Sequence, residues 1–360
     1  YRYISKEEVN NQRDNNTSKF ILKQTAFDSL KKINNKNEQI FSDKDIYDAI
    51  EELENIPLEG LIDTSKKVFG MLMPKKGGKT IKVFKDGRFE SVSFKYIDFE
   101  NIENNDFSVT VEYDATGKDN IRVDIVVFIN GIPFSMIENK KSSVDVSEAL
   151  NQINRNQGIE YCPKAFIYPQ LLIGANSKNL KYGTTGTPNK FFAVWKEREL
   201  IEEEWKRREA FEKEYDLKVK EAILKKIDEN IYQNILNDLN GYTYNHKQII
   251  ERRVTDQDRG VYGIFRKDRL LDLSKNFVLY DGGVKKVMRY QQYFAIKKIE
   301  ERIKQTTITK SGEKREGGIL WQTQGSGKSL TMVMFVKALI ENPNIQNPRI
   351  LIVTDRRDLD

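Results

Sequence analysis

The chain has 360 residues, 60 basic and 54 acidic, with a net charge of +6. That length allows two or three domains with real cores, and so small a basic excess permits a polyanionic partner without requiring one. One cysteine, Cys162, excludes an internal disulfide framework and a multi-cysteine metal site; one histidine, His246, excludes any site needing two histidine ligands from this chain. Cys162 is expected to be a small buried thiol. With no run of about 18 apolar residues, no membrane-spanning helix is expected. No signal peptide is visible, and a start at Tyr1 rather than Met is what a segment of a longer gene product would show.

Residues 1–60 are polar with helical patches. Phe27, Leu30 and Ile33 fall at helical spacing, and Ile46, Tyr47, Ile50 and Leu53 do so again over Asp43 to Leu53. The segment from Asn34 to Asn37 reads as a mobile loop. Between 80 and 135 the pattern turns to strands: TIKVF, ESVSF, FSVTVEYD and IRVDIVVFI alternate or run apolar between Gly and Asn. Asn130-Gly131 is a hairpin signal joining Ile121–Ile129 to Ile132–Ile137. A helix follows: Asp145 and Glu148 resemble a capping box, and Val146, Ala149, Leu150 and Ile153 make its apolar face. Ala165 to Asn176 returns to strand, and Phe191 to Trp195 is a further candidate. The first half is therefore an α/β core.

Residues 196–240 are dense in both charge signs at helical spacing, as a solvated helix is; a docking arm for partner subunits over 196–260 is a second reading that rests on charge density. Asn240-Gly241 and Asp258-Arg259-Gly260 read as turns, and a domain boundary is placed near 265. Arg269 to Tyr280 mixes helix and strand, and Val287 to Ile303 reads as a helix. GGILWQTQGSGKSLTMVMFVKALIEN then predicts strand, Gly-rich turn and helix, and RILIVTD another buried strand.

Gln324-Gly325-Ser326-Gly327-Lys328-Ser329 lies in that turn. Glycines let backbone N–H groups curl around a phosphate, and the following helix N-terminus adds its positive end. Lys328 would reach the β- and γ-phosphates of ATP, and the Ser329 hydroxyl would ligate Mg2+. The general pattern wants Gly at 322, where this chain has Gln322, a departure that superfamily 2 helicases and translocases tolerate. Upstream, Arg289-Tyr290-Gln291-Gln292 resembles the Q-motif of those motors, which by position makes Gln292 the reader of the adenine edge. Downstream, Val353 to Leu359 resembles their motif Ia, which contacts the DNA backbone. No Asp-Glu Walker B and no second motor domain are present, so this segment alone is not expected to hydrolyse ATP at a useful rate.

A second cluster lies at a strand end. Phe134, Met136 and Ile137 read as buried, yet the strand runs into Glu138, Lys140 and Lys141. Charges near a core cost several kcal/mol unless paired or liganded. Glu138 and Lys140 share one strand face, and Asp124 lies on the preceding strand. Asp, then Glu-x-Lys at a strand end, is the pattern of the PD-(D/E)xK nuclease fold. In it two carboxylates hold Mg2+, and the lysine orients or deprotonates a water and offsets developing negative charge. An ordinary salt bridge from Glu138 to Lys140 or Lys141 is the plainer alternative. Geometry separates the two. In a strict two-residue hairpin Ile129 faces Ile132, Asp124 opposes Ile137, and Glu138 points to the other face. The acids share a metal only if a bulge or odd-length turn intervenes; Pro133 favours one, and an irregularity is predicted.

A nuclease-type hairpin followed by a superfamily 2 motor resembles the R (restriction and motor) subunit of type I restriction–modification enzymes. The likeness is carried by NGIPFSMIENKKSSVDVSEALNQINRN, KYGTTGTPNKFFAVW, VMRYQQYFAI, ILWQTQGSGKSLT and IVTDRRDLD. It implies a PD-(D/E)xK endonuclease domain over 1–265 and, over 266–360, the front of a first RecA-like motor domain, ending after motif Ia. Asp124, Glu138 and Lys140 fall on the family's nuclease motif. Gln152 falls on the glutamine of its Gln-x-x-x-Tyr motif, with Asn156 at the tyrosine position; Gln157 and Tyr161 offer a second such pair one turn later. The family's usual acidic N-terminal helix is not evident, and its His in the phosphate loop is Gln322 here. The resemblance implies ATP-driven translocation of double-stranded DNA and Mg2+-dependent cleavage away from the recognition site, in the cytoplasm of a bacterium or archaeon, with a methyltransferase (M) and a specificity (S) subunit as partners. Target sequence is not legible here, since motor and nuclease contacts fall mainly on phosphates. Two other readings are a different nuclease–helicase fusion, RecB-like or a type III restriction subunit, and a nuclease fold with a dead site serving as a docking module.

Overall fold

The computed structural model describes residues 1–35, 40–73, 79–85, 87–199, 203–225, 227–239, 251–309, 312–315, 317–342, 345 and 347–353. Strand β1 (Arg2–Tyr3) and helices α1 (Lys6–Gln12), α2 (Lys23–Asn34), α3 (Asp43–Glu54) and α4 (Leu61–Leu72) come first, then a small hairpin of β2 (Thr80–Lys85) and β3 (Arg88–Ser93). After these come β4 (Phe107–Thr116), β5 (Asn120–Ile129), β6 (Ile132–Lys140), α5 (Val146–Asn156), β7 (Leu171–Asn176), β8 (Leu180–Gly183) and β9 (Ala193–Val194). One sheet of seven strands results, in the order β1-β4-β5-β6-β7-β8-β9. β1 joins β4 and β7 joins β6 in parallel, and the other pairs are antiparallel.

The α/β core follows the sequence periodicities. Leu30 and Ile33 of α2 and Ile46, Ile50 and Leu53 of α3 are buried. Tyr47 is not; it lies at the surface, stacked on Phe27 with ring centroids 4.4 Å apart. Asp145 caps α5 by accepting from the Ser147 N–H at 2.8 Å, while Glu148 faces Asn151 at 3.5 Å, so a single cap replaces the expected box. The stretch from Ala165 to Asn176 divides, because Pro163 opens a 3-10 turn through Ile167 and only Leu171–Asn176 is strand. Cys162 is fully buried.

The parallel step from β6 to β7 carries α5 across the sheet. It packs closely because Gly174, opposite Glu138 in the β6–β7 pairing, has no side chain. A Cβ there would stand 2.3 Å from Leu150 Cδ2 and 3.4 Å from Ala149 Cβ.

The charged stretch forms α6 (Glu204–Leu224) and α7 (Glu229–Asp238). Pairs such as Arg208–Glu212 and Lys218–Glu214 line its solvated side. One side is nonetheless packed: Tyr215 and Val219 are buried, and the Tyr215 hydroxyl donates to Arg259 O at 3.0 Å in α8 (Asp256–Ile264). Asp258-Arg259-Gly260 is therefore helix, not turn. Thr255 and Asp258 form a reciprocal capping box there, and such N-terminal residues mimic turn signals in sequence. Asn240-Gly241 and His246 lie outside the described residues, as do Lys36 and Asn37 of the expected loop.

Helix α9 (Lys267–Asn276) is followed by a hairpin of β10 (Val278–Asp281) and β11 (Val284–Val287), turned on Gly282 and Gly283. Then come α10 (Tyr290–Lys304), a hairpin of β12 (Thr306–Thr309) and β13 (Gly312–Arg315), and α11 (Lys328–Glu341). The strands expected in GGILW and RILIV are not formed; Ile319, Trp321 and Leu351 are exposed. Among the described residues neither stretch has a neighbouring strand, and a parallel strand without neighbours leaves its backbone unpaired. No described helix is long and apolar enough to cross a membrane.

Lys285 of β11 is enclosed where this hairpin meets α4. Its ammonium donates to Pro169 O at 2.9 Å and Ser65 Oγ at 3.3 Å, and burial pushes its pKa down to about 7. A lysine with a lowered native pKa makes stability rise with pH between the native and unfolded values. We expect melting temperature to rise from pH 7 toward 10 through this site, and Lys285→Met to flatten that rise in thermal melts. Gly174→Ala should cost about 1–3 kcal/mol by overpacking against Leu150, measured by denaturant unfolding.

Candidate functional site

The turn between β5 and β6 uses Asn130 and Gly131 at φ of +52° and +72°, as a two-residue hairpin demands. Asn130 is held there by its amide, which accepts from the Asp106 N–H at 2.8 Å and donates to Tyr96 O at 2.9 Å. At 131 a Cβ would stand 2.6 Å from Leu22 O, so only glycine fits. From the turn, Ile129 faces Ile132 and Phe128 faces Pro133, but Val127 faces Ser135. Phe134 is the extra residue, and the predicted irregularity is present. Pairing continues to Ile125–Ile137, and the next residues on the two strands are Asp124 and Glu138. The bulge has moved them to the same face. On the other flank the β4–β5 ladder skips Glu112, which has φ +50°, between Val111–Ile125 and Tyr113–Val123. Asp124 thus sits where pairing is interrupted on both sides.

Glu138 is buried at 2% exposure, and neither carboxylate oxygen has a hydrogen-bond donor. The group facing it is a second carboxylate, Asp124. Burial, and then the Asp124 charge, push the Glu138 pKa up to about 9, against a downward pull from Lys140 and Arg155. Lys140 Nζ stands 3.9 Å from Glu138 Oε2 and gives its close hydrogen bond to Gln152 Oε1. Lys141 is exposed. The salt bridge to Lys140 is thus present but long, and it leaves a second carboxylate facing Glu138.

Two unsatisfied carboxylate oxygens beside another carboxylate are a donor set suited to a hard divalent cation. Among the described residues no three Asp, Glu, His or Cys side chains converge. Mg2+ would take Asp124 and Glu138 and complete its shell with water and phosphate oxygens, as it commonly does.

Helix α5 supplies the wall opposite the strand. Gln152 and Arg155, with Lys140, Val144, Glu148 and Asn151, line an open cavity of about 490 Å³. Of the two candidate glutamines, the structure brings Gln152 to Lys140. Gln157 is buried elsewhere: its Oε1 accepts from the Gly186 N–H at 2.8 Å and its Nε2 donates to Asn154 Oδ1 at 3.1 Å, holding the loop after β8. Asn156 is buried. Arg155, stacked on Tyr161 at 5.4 Å, escaped the sequence reading. Its place three residues after Gln152 on the same helical face was the available signal.

The Gly-rich turn expected to bind phosphate lies at the head of α11. Gly325 and Gly327 have φ of +74° and +86°, and Ser326 Oγ donates to Thr323 O at 2.6 Å. Lys328 and Ser329 open the helix and are exposed. Gln292 is near this loop, but its amide is engaged: Oε1 accepts from the Arg289 N–H at 2.9 Å, and Nε2 donates to Gly327 O at 3.2 Å. It is tied to the loop and to its own helix start. Of the motif Ia stretch only Val353 is described.

Two families match separate stretches of the chain. A family described as the type I restriction enzyme R protein N terminus matches residues 1–191, and the SWI2/SNF2 ATPase family matches residues 291–360. The putative type I restriction enzyme MjaIXP endonuclease subunit of Methanocaldococcus jannaschii is 29% identical over 79% of this chain and 25% of its own length. The MjaVIIIP endonuclease subunit of the same organism is 28% identical over 95% of this chain and 28% of its own. The type I restriction enzyme HindI endonuclease subunit of Haemophilus influenzae is 27% identical over 79% and 23%. The chain spans about a quarter of the length of these relatives. With more than half of its residues inside the first match, the chain belongs to the family of type I restriction enzyme R protein N termini.

Proposed function

We propose that this chain carries the nuclease site and the ATP-binding front of a type I restriction endonuclease R subunit. The protein would cleave double-stranded DNA away from its recognition site after ATP-driven translocation, in a complex with methyltransferase and specificity subunits. The observation that carries the reading is the register shift at Phe134, which aligns Asp124 with a buried Glu138 lacking any donor.

Asp124 and Glu138 would hold Mg2+, which when bound supplies polarisation of the scissile phosphate and a water of lowered pKa. Lys140 stands over the same face and offsets negative charge developing on the phosphate. Gln152 fixes the Lys140 ammonium through its side-chain oxygen. Arg155, in the lining of the cavity, suits a backbone phosphate of the DNA, a contact that positions without reading sequence. At the other site the Gly325–Gly327 backbone and Lys328 would cradle the ATP phosphates, with Ser329 on their Mg2+ and Gln292 beside the loop.

Lys140→Ala in the complete complex should abolish DNA cleavage, by at least about a hundredfold, while DNA-dependent ATP hydrolysis persists. Cleavage that survives this substitution would place the scissile chemistry elsewhere. Metal binding must also expel the proton that Glu138 retains below about pH 9. Affinity for Mn2+ or Mg2+ should therefore rise with pH, by up to about tenfold per pH unit, in titrations of nucleotide-free protein.

A further inference from the structure

Asp124 is steadied by a group outside the hairpin turn and outside α5. Its Oδ2 accepts a 2.6 Å hydrogen bond from the backbone N–H of Asn139, the residue between Glu138 and Lys140. The Asn139 side chain is held in turn: its Oδ1 accepts from Gln257 Nε2 at 2.9 Å. Gln257 lies in the first turn of α8, on a segment between the two stretches matched by the known families.

That helix is firmly placed. Arg259 makes a two-pronged pair with Asp216 of α6, both contacts at 2.7 Å, and a further bond to Asp256 at 2.8 Å. Two glycines bring α8 onto the edge of the sheet. A Cβ at Gly260 would stand 3.0 Å from Leu180 Cδ2, and one at Gly263 would stand 2.6 Å from Trp195 Nε1. Gln257 is thus a fixed point reaching the exposed end of β6. Without it the Asn139 side chain has solvent on that side, and the peptide that holds Asp124 has one restraint fewer.

We infer that Gln257 is a positioning residue for the Asp124 carboxylate, acting through Asn139, so that the α6–α8 helical segment sets the affinity of the nuclease site for its divalent cation. This rests on the reading of Asp124 and Glu138 as the metal-binding pair. A displacement of α8 along the sheet edge would be felt at Asp124 without any contact between α8 and the metal or the DNA.

The test is Mn2+ binding to the nucleotide-free full-length protein, followed by loss of the free-Mn2+ electron paramagnetic resonance signal. Gln257→Met keeps the side-chain length and removes the amide; Asn139→Ala removes the same contact from the strand while keeping the backbone N–H. Both should weaken Mn2+ binding by roughly tenfold, the double variant should be no weaker than the singles, and ATP hydrolysis by the complex should be unchanged. Unaltered binding in both singles overturns the inference, and so does a loss confined to Gln257→Met, which would reflect the helix rather than the relay. Asp124→Ala separates the two ideas. If it leaves Mn2+ binding intact, the metal-site reading itself fails; if it abolishes binding while the other variants match wild type, only the role of Gln257 falls.

Discussion

An acidic side chain has been taken out of water at the end of β6 and given no donor. Glu138 is buried, its nearest cation is Lys140 Nζ at 3.9 Å, and the group it faces is another carboxylate. Ionising a buried carboxyl beside another carboxylate is costly, and burial and the Asp124 charge accordingly hold Glu138 toward its neutral form. β6 runs into the site with an extra residue, so that Asp124 meets Glu138. Gly174 lies opposite Glu138 and lets α5 close over the strand. Through α5 comes Gln152, which takes the Lys140 hydrogen bond and leaves the Glu138 oxygens open. A cation resolves the conflict on the proposed reading, and burial is what makes the site wait for one.

Much of this was legible in the sequence, for definite reasons. The strands from 80 to 137 alternate or run apolar, and the Asn-Gly turn admits almost one geometry. The need for a register shift followed from counting positions, because two acids meant for one metal cannot point to opposite faces. Its location could not be read: Pro133 suggested an irregular turn, yet the turn is regular and the extra residue is Phe134. Gln152 against Gln157 was likewise undecidable on spacing alone. The choice rests on which side of α5 meets the strand, a tertiary fact. Arg155 was missed because an arginine on a polar helix face resembles any solvated charge until the cavity beside it is seen.

The C-terminal part divides differently. The Gly325–Gly327 turn has its glycine geometry and its helix, local features that a short stretch of chain encodes. The flanking strands are non-local. GGILW and RILIV carry strand-like sequence, but a parallel strand exists only between neighbours, and among the described residues neither has one. Gln292 shows the same limit: its position in the motif made it a reader of the adenine edge, whereas its hydrogen bonds to Arg289 and Gly327 depend on how α10 and α11 pack.

The bulge at Phe134 also bears on how such chains change over evolutionary time. Side chains along a strand alternate sides, so the separation between the acid of β5 and the Glu-x-Lys of β6 has a parity. Loss or gain of one residue in the hairpin would leave every motif residue in place and turn one carboxylate away from the other. A relative with all three charged residues and the wrong parity would, on the proposed reading, keep the composition of the site without its geometry. An inserted pair of residues, by contrast, would lengthen the hairpin and keep the site.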